Sequence, residues 1–279
     1  MITAIPIEKI LRETLKEGGE FADLFFEQTR SVVIICEEDR IEKVISGLDM
    51  GVGLRILHGG KTFYGFTNQL SKESLLQLAR RLSEATKEDR ESKVIDLVRR
   101  DPSPPLSSSS PSPLSPIEKH PKGISIGEKV SIVKRGNEVA RRLDPHIRQV
   151  KVLYRDFSQN LLIANSEGAS VEGERMGTVF SVQVVSAEGD IIQTGYEPVG
   201  GTMGFEMFDF HPPEEVAEVA AKRSLLMLSA RKAPSGRMAV VLSSEAGGTM
   251  IHEAIGHGLE ADLAQQGLSV YSKKIGERV

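Results

Sequence analysis

A stretch near the middle of the chain consists almost entirely of proline, serine and aspartate: residues 101–116, DPSPPLSSSSPSPLSP. Such a composition buries too little apolar surface to offset the entropy lost on ordering, and loops of this length are uncommon inside a compact domain. We therefore predict a linker, placed at residues 93–122, that separates two folded parts. An ordered surface loop is the alternative.

The overall composition restricts the class of protein. The 279 residues are 39% hydrophobic, enough for two domains. The 35 basic and 39 acidic residues give a formal charge of −4 and form no long basic run, which argues against nucleic acid as a direct partner. Cys36 is the single cysteine, and the sequence contains neither a signal-peptide core nor about 20 consecutive apolar residues. We expect a cytoplasmic protein with no membrane contact.

Residues 1–92 are predicted to form an α+β domain. Apolar residues at helical spacing indicate a first helix that ends at Gly18-Gly19. Short apolar runs between residues 22 and 67, with a hairpin turn at 58–61, predict an antiparallel meander. Ser71 is expected to cap a second helix that reaches about Thr86.

Residues 123–232 are predicted to form a central β-rich domain between two helices, one from Ile126 to Leu143 and one from Pro212 to about Ala230. The strands between them alternate apolar and polar residues, with expected turns at 158–160, 167–168 and 188–190. The predicted fold class is thus α+β, with antiparallel β-rich domains flanked by helices. The order helix, strands, helix occurs twice, without a repeat at the residue level.

Residues 233–279 are predicted to begin a third, catalytic segment. The run RMAVVLS, residues 237–243, has the composition of a buried strand, and the helical segment after it is interrupted by small residues. His252, Glu253 and His257 in that segment form the pattern H-E-x-x-x-H. Two imidazoles can bind a metal ion of borderline softness, and a carboxylate beside them can accept a proton from water at the metal. The combination is typical of a zinc hydrolase.

The spacing of the two histidines requires a distorted helix. Residues five apart on a regular α-helix differ by about 140° in direction, since each residue turns about 100°. A π-type turn absorbs one extra residue and would bring both rings to one face. We place this turn at Gly256. The alternative is two incidental histidines on the surface of a glycine-interrupted helix.

The strand and helix together, RMAVVLSSEAGGTMIHEAIGHGLEADL, resemble the signature segment of the TldD/PmbA family, whose members were once described as modulators of DNA gyrase. The resemblance extends upstream through GYEPVGGTMGFEMF and downstream through YSKKIGERV. It implies the amino-terminal portion of a TldD-type zinc metallopeptidase subunit, because in this family that type of subunit carries H-E-x-x-x-H.

The resemblance also implies roles for individual residues. His252 and His257 would be zinc ligands and Glu253 the general base. The third ligand of the family is a cysteine in a carboxyl-terminal region that has no counterpart here. Cys36 lies in the apolar run SVVIIC and is expected to be a buried, inert thiol. Glu260 could orient the ring of His257, or be a plain surface carboxylate.

The implied activity is proteolysis of small or unfolded polypeptides by a heterodimer with a PmbA/TldE-type partner subunit. With two histidine ligands, the 279-residue chain itself is expected to bind zinc weakly and to cleave nothing. A non-catalytic assembly or binding protein is the alternative. The remaining histidines are expected to be solvated turn residues, and the glycines between Gly200 and Gly204 to leave a strand edge open to a peptide.

Overall fold

The structure is a computed structural model that describes residues 6–87 and 117–279. Residues 93–116 of the predicted linker lie outside the described residues, so the linker and its boundaries stay a prediction. Contacts between Cα atoms divide the chain into two compact units, one up to Ala230 and one from Arg231 onward, and each is described by itself.

The first unit confirms the predicted α+β fold, since helices flank antiparallel strands both before residue 88 and after residue 116. Before the linker the elements are α1 (Ile7–Thr14), β1 (Phe21–Glu37), β2 (Arg40–His58), β3 (Lys61–Thr67) and α2 (Lys72–Ala85). After it they are α3 (Ile126–Arg142), β4 (Ile147–Asn165), β5 (Ser170–Glu188), β6 (Ile191–Gly201), α4 (Met207–Phe210) and α5 (Pro213–Leu228).

The six strands form one antiparallel sheet in the order β3-β2-β1-β4-β5-β6. Strands from before residue 88 and after residue 116 meet where β1 pairs with β4, from Asp23 opposite Asn165 to Glu37 opposite Lys151. The order helix, three strands, helix therefore occurs twice, and the two copies share a single sheet.

The helices cover one face of this sheet and create two hydrophobic cores. Helices α1 and α2 pack on the first three strands through residues such as Leu11, Leu24, Leu54 and Leu75. Helices α3 and α5 pack on β1 and the last three strands through residues that include Ile132, Tyr154, Phe180 and Val216. Between the cores the same face of β1 and β4 carries polar residues, including Arg30 opposite Ser158.

These polar residues between the two cores explain one wrong prediction. The expected turn at residues 158–160 does not exist, because β4 continues through them with hydrogen-bonding partners in β1 and β5. Likewise the short apolar runs before residue 67 join into long strands. The turns at 58–61, 167–168 and 188–190 are confirmed, with left-handed glycines at their tips: Gly59 and Gly60 at φ 54° and 74°, Gly168 at 91° and Gly189 at 58°.

Gly200 and Gly201 are exposed at the end of β6, the outermost strand of the sheet, and the binding of a peptide to this edge stays a prediction. Gly204 is buried, and its backbone N–H donates to Glu206 over 2.8 Å. The edge strand β6 contains Pro198, and Arg223 donates to the carbonyl oxygen of Tyr196 over 2.7 Å. Proline and a capped carbonyl both oppose the addition of another strand.

The second unit consists of short helical elements: α6 (Ser244–Ile251), a single π-turn, a 3-10 turn and α7 (Ala261–Gln265). The predicted buried strand at residues 237–243 is wrong, because the backbone there is irregular and Val240 and Val241 are 69% and 99% exposed. A strand needs a partner for its N–H and C=O groups, and no described strand pairs with this segment. No helix among the described residues is long and apolar enough to cross a membrane.

Candidate metal centre

Helix α6 leads into the H-E-x-x-x-H motif. Ser243 caps it by accepting a hydrogen bond from the N–H of Ala246 over 3.4 Å. Immediately after Ile251 the chain makes one π-turn, His252–Gly256, in which the N–H of His257 donates to the carbonyl oxygen of His252, five residues earlier. The predicted departure from α-helical geometry before His257 is confirmed.

The π-turn brings the motif side chains together. The ring centroids of His252 and His257 are 4.6 Å apart, with an angle of 79° between the ring planes. One nitrogen of each ring and one oxygen of Glu253 all lie within 4.8 Å of one another. These three residues form the one group of this kind found in residues 6–87 and 117–279.

Glu260 holds the ring of His257 in a defined orientation. Its Oε1 lies 2.6 Å from Nδ1 of His257, and Oε2 of Glu253 lies 3.7 Å from Nε2 of the same ring. The hydrogen bond with Glu260 and, more weakly, the charge of Glu253 raise the pKa of His257. A proton on Nδ1 that is shared with Glu260 leaves Nε2 as the nitrogen available to a ligand.

The donor set fits a divalent transition-metal ion. Imidazole nitrogen and carboxylate oxygen are ligands that zinc accepts, and a carboxylate on the far nitrogen of a ligating histidine is the usual supporting arrangement. All three side chains are exposed, so an ion and a substrate could both reach them.

Two residues that sequence reasoning did not select, Ser269 and Tyr271, fix the end of the motif. Tyr271 packs over Gly258 so closely that a Cβ at Gly258 would lie 2.5 Å from the ring. The hydroxyl of Tyr271 also donates to the carbonyl oxygen of Ala254 over 3.4 Å. The hydroxyl of Ser269 donates to the carbonyl oxygen of Gly258. Periodicity could not identify them, because they act from an irregular segment after α7.

The other candidates lie elsewhere and have ordinary roles. Cys36 is 1% exposed in β1, where burial raises the pKa of its thiol. His146 contacts Asp144 over 2.7 Å after α3, and His120 accepts from the N–H of Lys122 in a short 3-10 turn. His211 is exposed at the end of α4.

A helical turn that gathers two histidines and a glutamate is typical of the metal sites of hydrolases, and comparison with known proteins defines the family. The PmbA/TldA metallopeptidase models match this chain in three places: domain 1 at residues 22–86, the central domain at 119–228 and the C-terminal domain at 235–279. The chain belongs to the PmbA/TldD metallopeptidase family.

Two curated relatives extend this result. A metalloprotease of Methanocaldococcus jannaschii is 32% identical over 98% of this chain and 58% of its own length. A metalloprotease TldD homolog of Buchnera aphidicola is 27% identical over 96% of this chain and 55% of its own length. The chain thus spans between half and three fifths of the length of these relatives.

A solved structure shares the fold. The crystal structure of a candidate modulator of DNA gyrase from Bacteroides thetaiotaomicron superposes with a TM-score of 0.75 over 98% of this chain and 60% of that one, at 18% sequence identity.

Proposed function

We propose that this chain carries the zinc-binding helix of a peptidase subunit. The observation that supports the proposal is the π-turn, which places His252, Glu253 and His257 within ligand distance of one another despite their i, i+5 spacing. A helix has little structural reason to adopt this costly turn, whereas π-turns are frequent at functional sites.

Each motif residue has a role that its surroundings support. His252 and His257 would hold the ion, with Glu260 keeping Nε2 of His257 free for it. Zinc, when bound, supplies a Lewis acid that activates water and polarises a peptide carbonyl group. Glu253 would accept the proton of the attacking water, since its carboxylate adjoins the ligand nitrogen and is exposed.

The substrate, partner and compartment follow from the family resemblance. We propose small or unfolded polypeptides as substrates, because a peptide bond must lose its own folded surroundings to reach a carboxylate on an exposed turn. A PmbA/TldE-type subunit is the proposed partner and the cytoplasm the proposed compartment. With Glu253 as the base, this group supplies two histidine ligands, so the 279-residue chain should hold zinc weakly.

Metal analysis of the purified chain tests the proposal. After incubation with zinc and dialysis against increasing chelator, His252→Ala and His257→Ala should release the ion at lower chelator concentration than the wild type does. Glu253→Gln should behave as wild type. His211→Ala is the matched control, since it removes an exposed histidine outside the motif. Equal release from His257→Ala and wild type would contradict the assignment of ligands.

A non-catalytic binding protein is the second candidate, and the two-histidine ligand set favours it. In that case neither the wild type nor any of the four variants would retain zinc above the level of a histidine-free control peptide.

A further inference from the structure

Half of strand β2 has a free edge. Strand β3 pairs with β2 only from Val52 to His58. Residues 43–51 of β2 pair with β1 on one side, after a bulge at Glu42, and within the described parts of the chain no strand lies on the other side. Residues 42–49 are all exposed. Their outward N–H and C=O groups are available to another strand.

Both faces of this free edge carry apolar side chains. Val44 and Leu48, each 46% exposed, lie on the helix-bearing face, because Val44 is opposite the buried Ile34. Ile45, 53% exposed, points to the open face. A long, exposed edge with apolar side chains is the kind of surface that takes up a further strand.

We propose that this edge, residues 42–50, pairs antiparallel with the same edge of a second copy of the chain, about a two-fold axis at Ser46. In this register Lys43 faces Asp49, Val44 faces Leu48 and Ile45 faces Gly47. Each pair occurs twice, as required of an isologous interface. The two sheets would join into one continuous sheet.

The residues are complementary in charge and size. Neither Lys43 nor Asp49 has an ion-pair partner within the described residues, and opposite charges directly across two strands are stabilising. The side chain of Ile45 would enter the space beside Gly47, where a Cβ would meet no atom within 4 Å. Moving the axis by one residue to Ile45 places Lys43 against Gly47 and loses both ion pairs.

A second copy is favoured over an unrelated strand because residues 43–49 are complementary in charge and size to the same residues of another copy. The equivalent free edge of β5, residues 170–177, lacks it. An axis at Gly173 would set Glu172 against Glu174, which is repulsive. The two copies of the helix-strands-helix arrangement thus differ: one edge favours self-pairing and the other opposes it.

Sedimentation equilibrium of residues 1–279 tests the proposal. The wild type should be a dimer of twice 30.5 kDa. Lys43→Asp or Asp49→Lys alone sets like charges opposite each other at two places and should raise the dissociation constant at least about tenfold. The double variant Lys43→Asp/Asp49→Lys should restore it. The control Glu172→Lys, on the β5 edge, should leave it unchanged.

Several outcomes would overturn the proposal: a wild-type monomer, assemblies larger than a dimer, or single and double variants of equal affinity. Pairing with a different subunit would give a monomer that dimerises only when that subunit is added.

Cross-linking provides a geometric check. Residues directly opposite in an antiparallel pair have Cα atoms about 4.5–5.5 Å apart, within the range of a disulfide. Ser46→Cys should therefore form a cross-linked dimer on mild oxidation, while Ser170→Cys should not. Cys36 is buried and should not compete. Because no metal ligand is involved, a chelator should change neither result.

Discussion

A buried ion pair lies between the two cores of the sheet. Nζ of Lys129 on α3 is 2.6 Å from Oδ2 of Asp156 on β4, and both side chains are almost fully buried. The hydroxyl of Tyr154 donates to the same oxygen over 2.6 Å, and burial together with that contact raises the pKa of the phenol. The ammonium group of Lys129 depends on Asp156 to balance its charge, because little water reaches it.

We therefore predict that Asp156→Asn lowers the free energy of unfolding by about 3–5 kcal/mol, because it leaves a buried charge without its partner. Asp209→Asn is the matched control. It disrupts the pair with Lys119, in which both side chains are about half exposed, and should cost less than about 1 kcal/mol. Urea denaturation measures both, and equal costs would contradict the prediction.

Glu253 is predicted to matter for the reaction and not for the metal. In a preparation that cleaves an unfolded peptide together with a PmbA-type partner, Glu253→Gln should retain zinc and lower kcat/KM by more than about 10²-fold, since the amide cannot accept a proton. Cleavage by the variant at the wild-type rate would show that another group is the base.

At the scale of elements, the helical segment that carries the H-E-x-x-x-H motif depends on the chain that packs against it. Gly258 is the position where this packing is tightest, because the ring of Tyr271 occupies the place of a side chain. Gly248, within α6, has no atom near the position of a Cβ. The two glycines therefore differ in what a methyl group would do.

Gly258→Ala should displace Tyr271 and weaken zinc retention, because the contact with the carbonyl group of Ala254 is lost with it. Gly248→Ala should leave retention unchanged and stabilise α6 by roughly 0.5–1 kcal/mol through lower unfolded-state entropy. Zinc release under chelator compares the variants, and identical behaviour would exclude Tyr271 as a positioning residue.

Helix α3 begins with a capping box between Ser125 and Glu128. The hydroxyl and N–H of Ser125 hydrogen-bond to the Glu128 carboxylate and lower its pKa. A carboxyl group whose pKa is lower in the folded state stabilises the fold above its unfolded pKa of about 4.3, and this contribution is lost as the pH falls through the folded value.

Ser125→Ala should accordingly cost about 0.5–2 kcal/mol at pH 7, and its difference from wild type should shrink as the pH falls below about 4. Ser71→Ala serves as the control, because Ser71 caps α2 by accepting from the N–H of Ser74 without a carboxylate. The loss in free energy of unfolding caused by Ser71→Ala should not vary over this pH range. Thermal unfolding at several pH values distinguishes the two.

At the scale of the whole chain, the pairing of β1 with β4 joins the part of the sheet that precedes residue 88 to the part that follows residue 116. Fifteen residues of each strand are paired, from Asp23 to Glu37 and from Lys151 to Asn165. This pairing, buried beneath helices at both ends, does not require a continuous chain between α2 and α3.

We predict that a broad-specificity protease cuts first within residues 101–116, and that the two fragments remain associated. Gel filtration of the cut protein under native conditions should show one species, and denaturing electrophoresis two bands. Initial cleavage outside that segment would show that the linker boundaries are wrong, whereas separation of the fragments would show that the β1–β4 pairing is weak.

Local chemistry made much of this protein predictable. The caps Ser71 and Ser125 and the glycine turns after β2, β4 and β5 follow from side chains that bond to their own backbone or from residues that tolerate positive φ. The sequence also predicted the π-turn, because two ligands five residues apart can share an ion only if one residue is absorbed between them.

What the sequence could not determine depends on partners distant along the chain. A polar triplet at residues 158–160 has the composition of a turn, yet it remains a strand because β1 and β5 pair with it on both sides. Conversely, residues 237–243 have the composition of a strand and lack one because no described strand pairs with them. Backbone hydrogen bonds between strands join groups far apart in sequence, so the tertiary structure alone decides which segments obtain them.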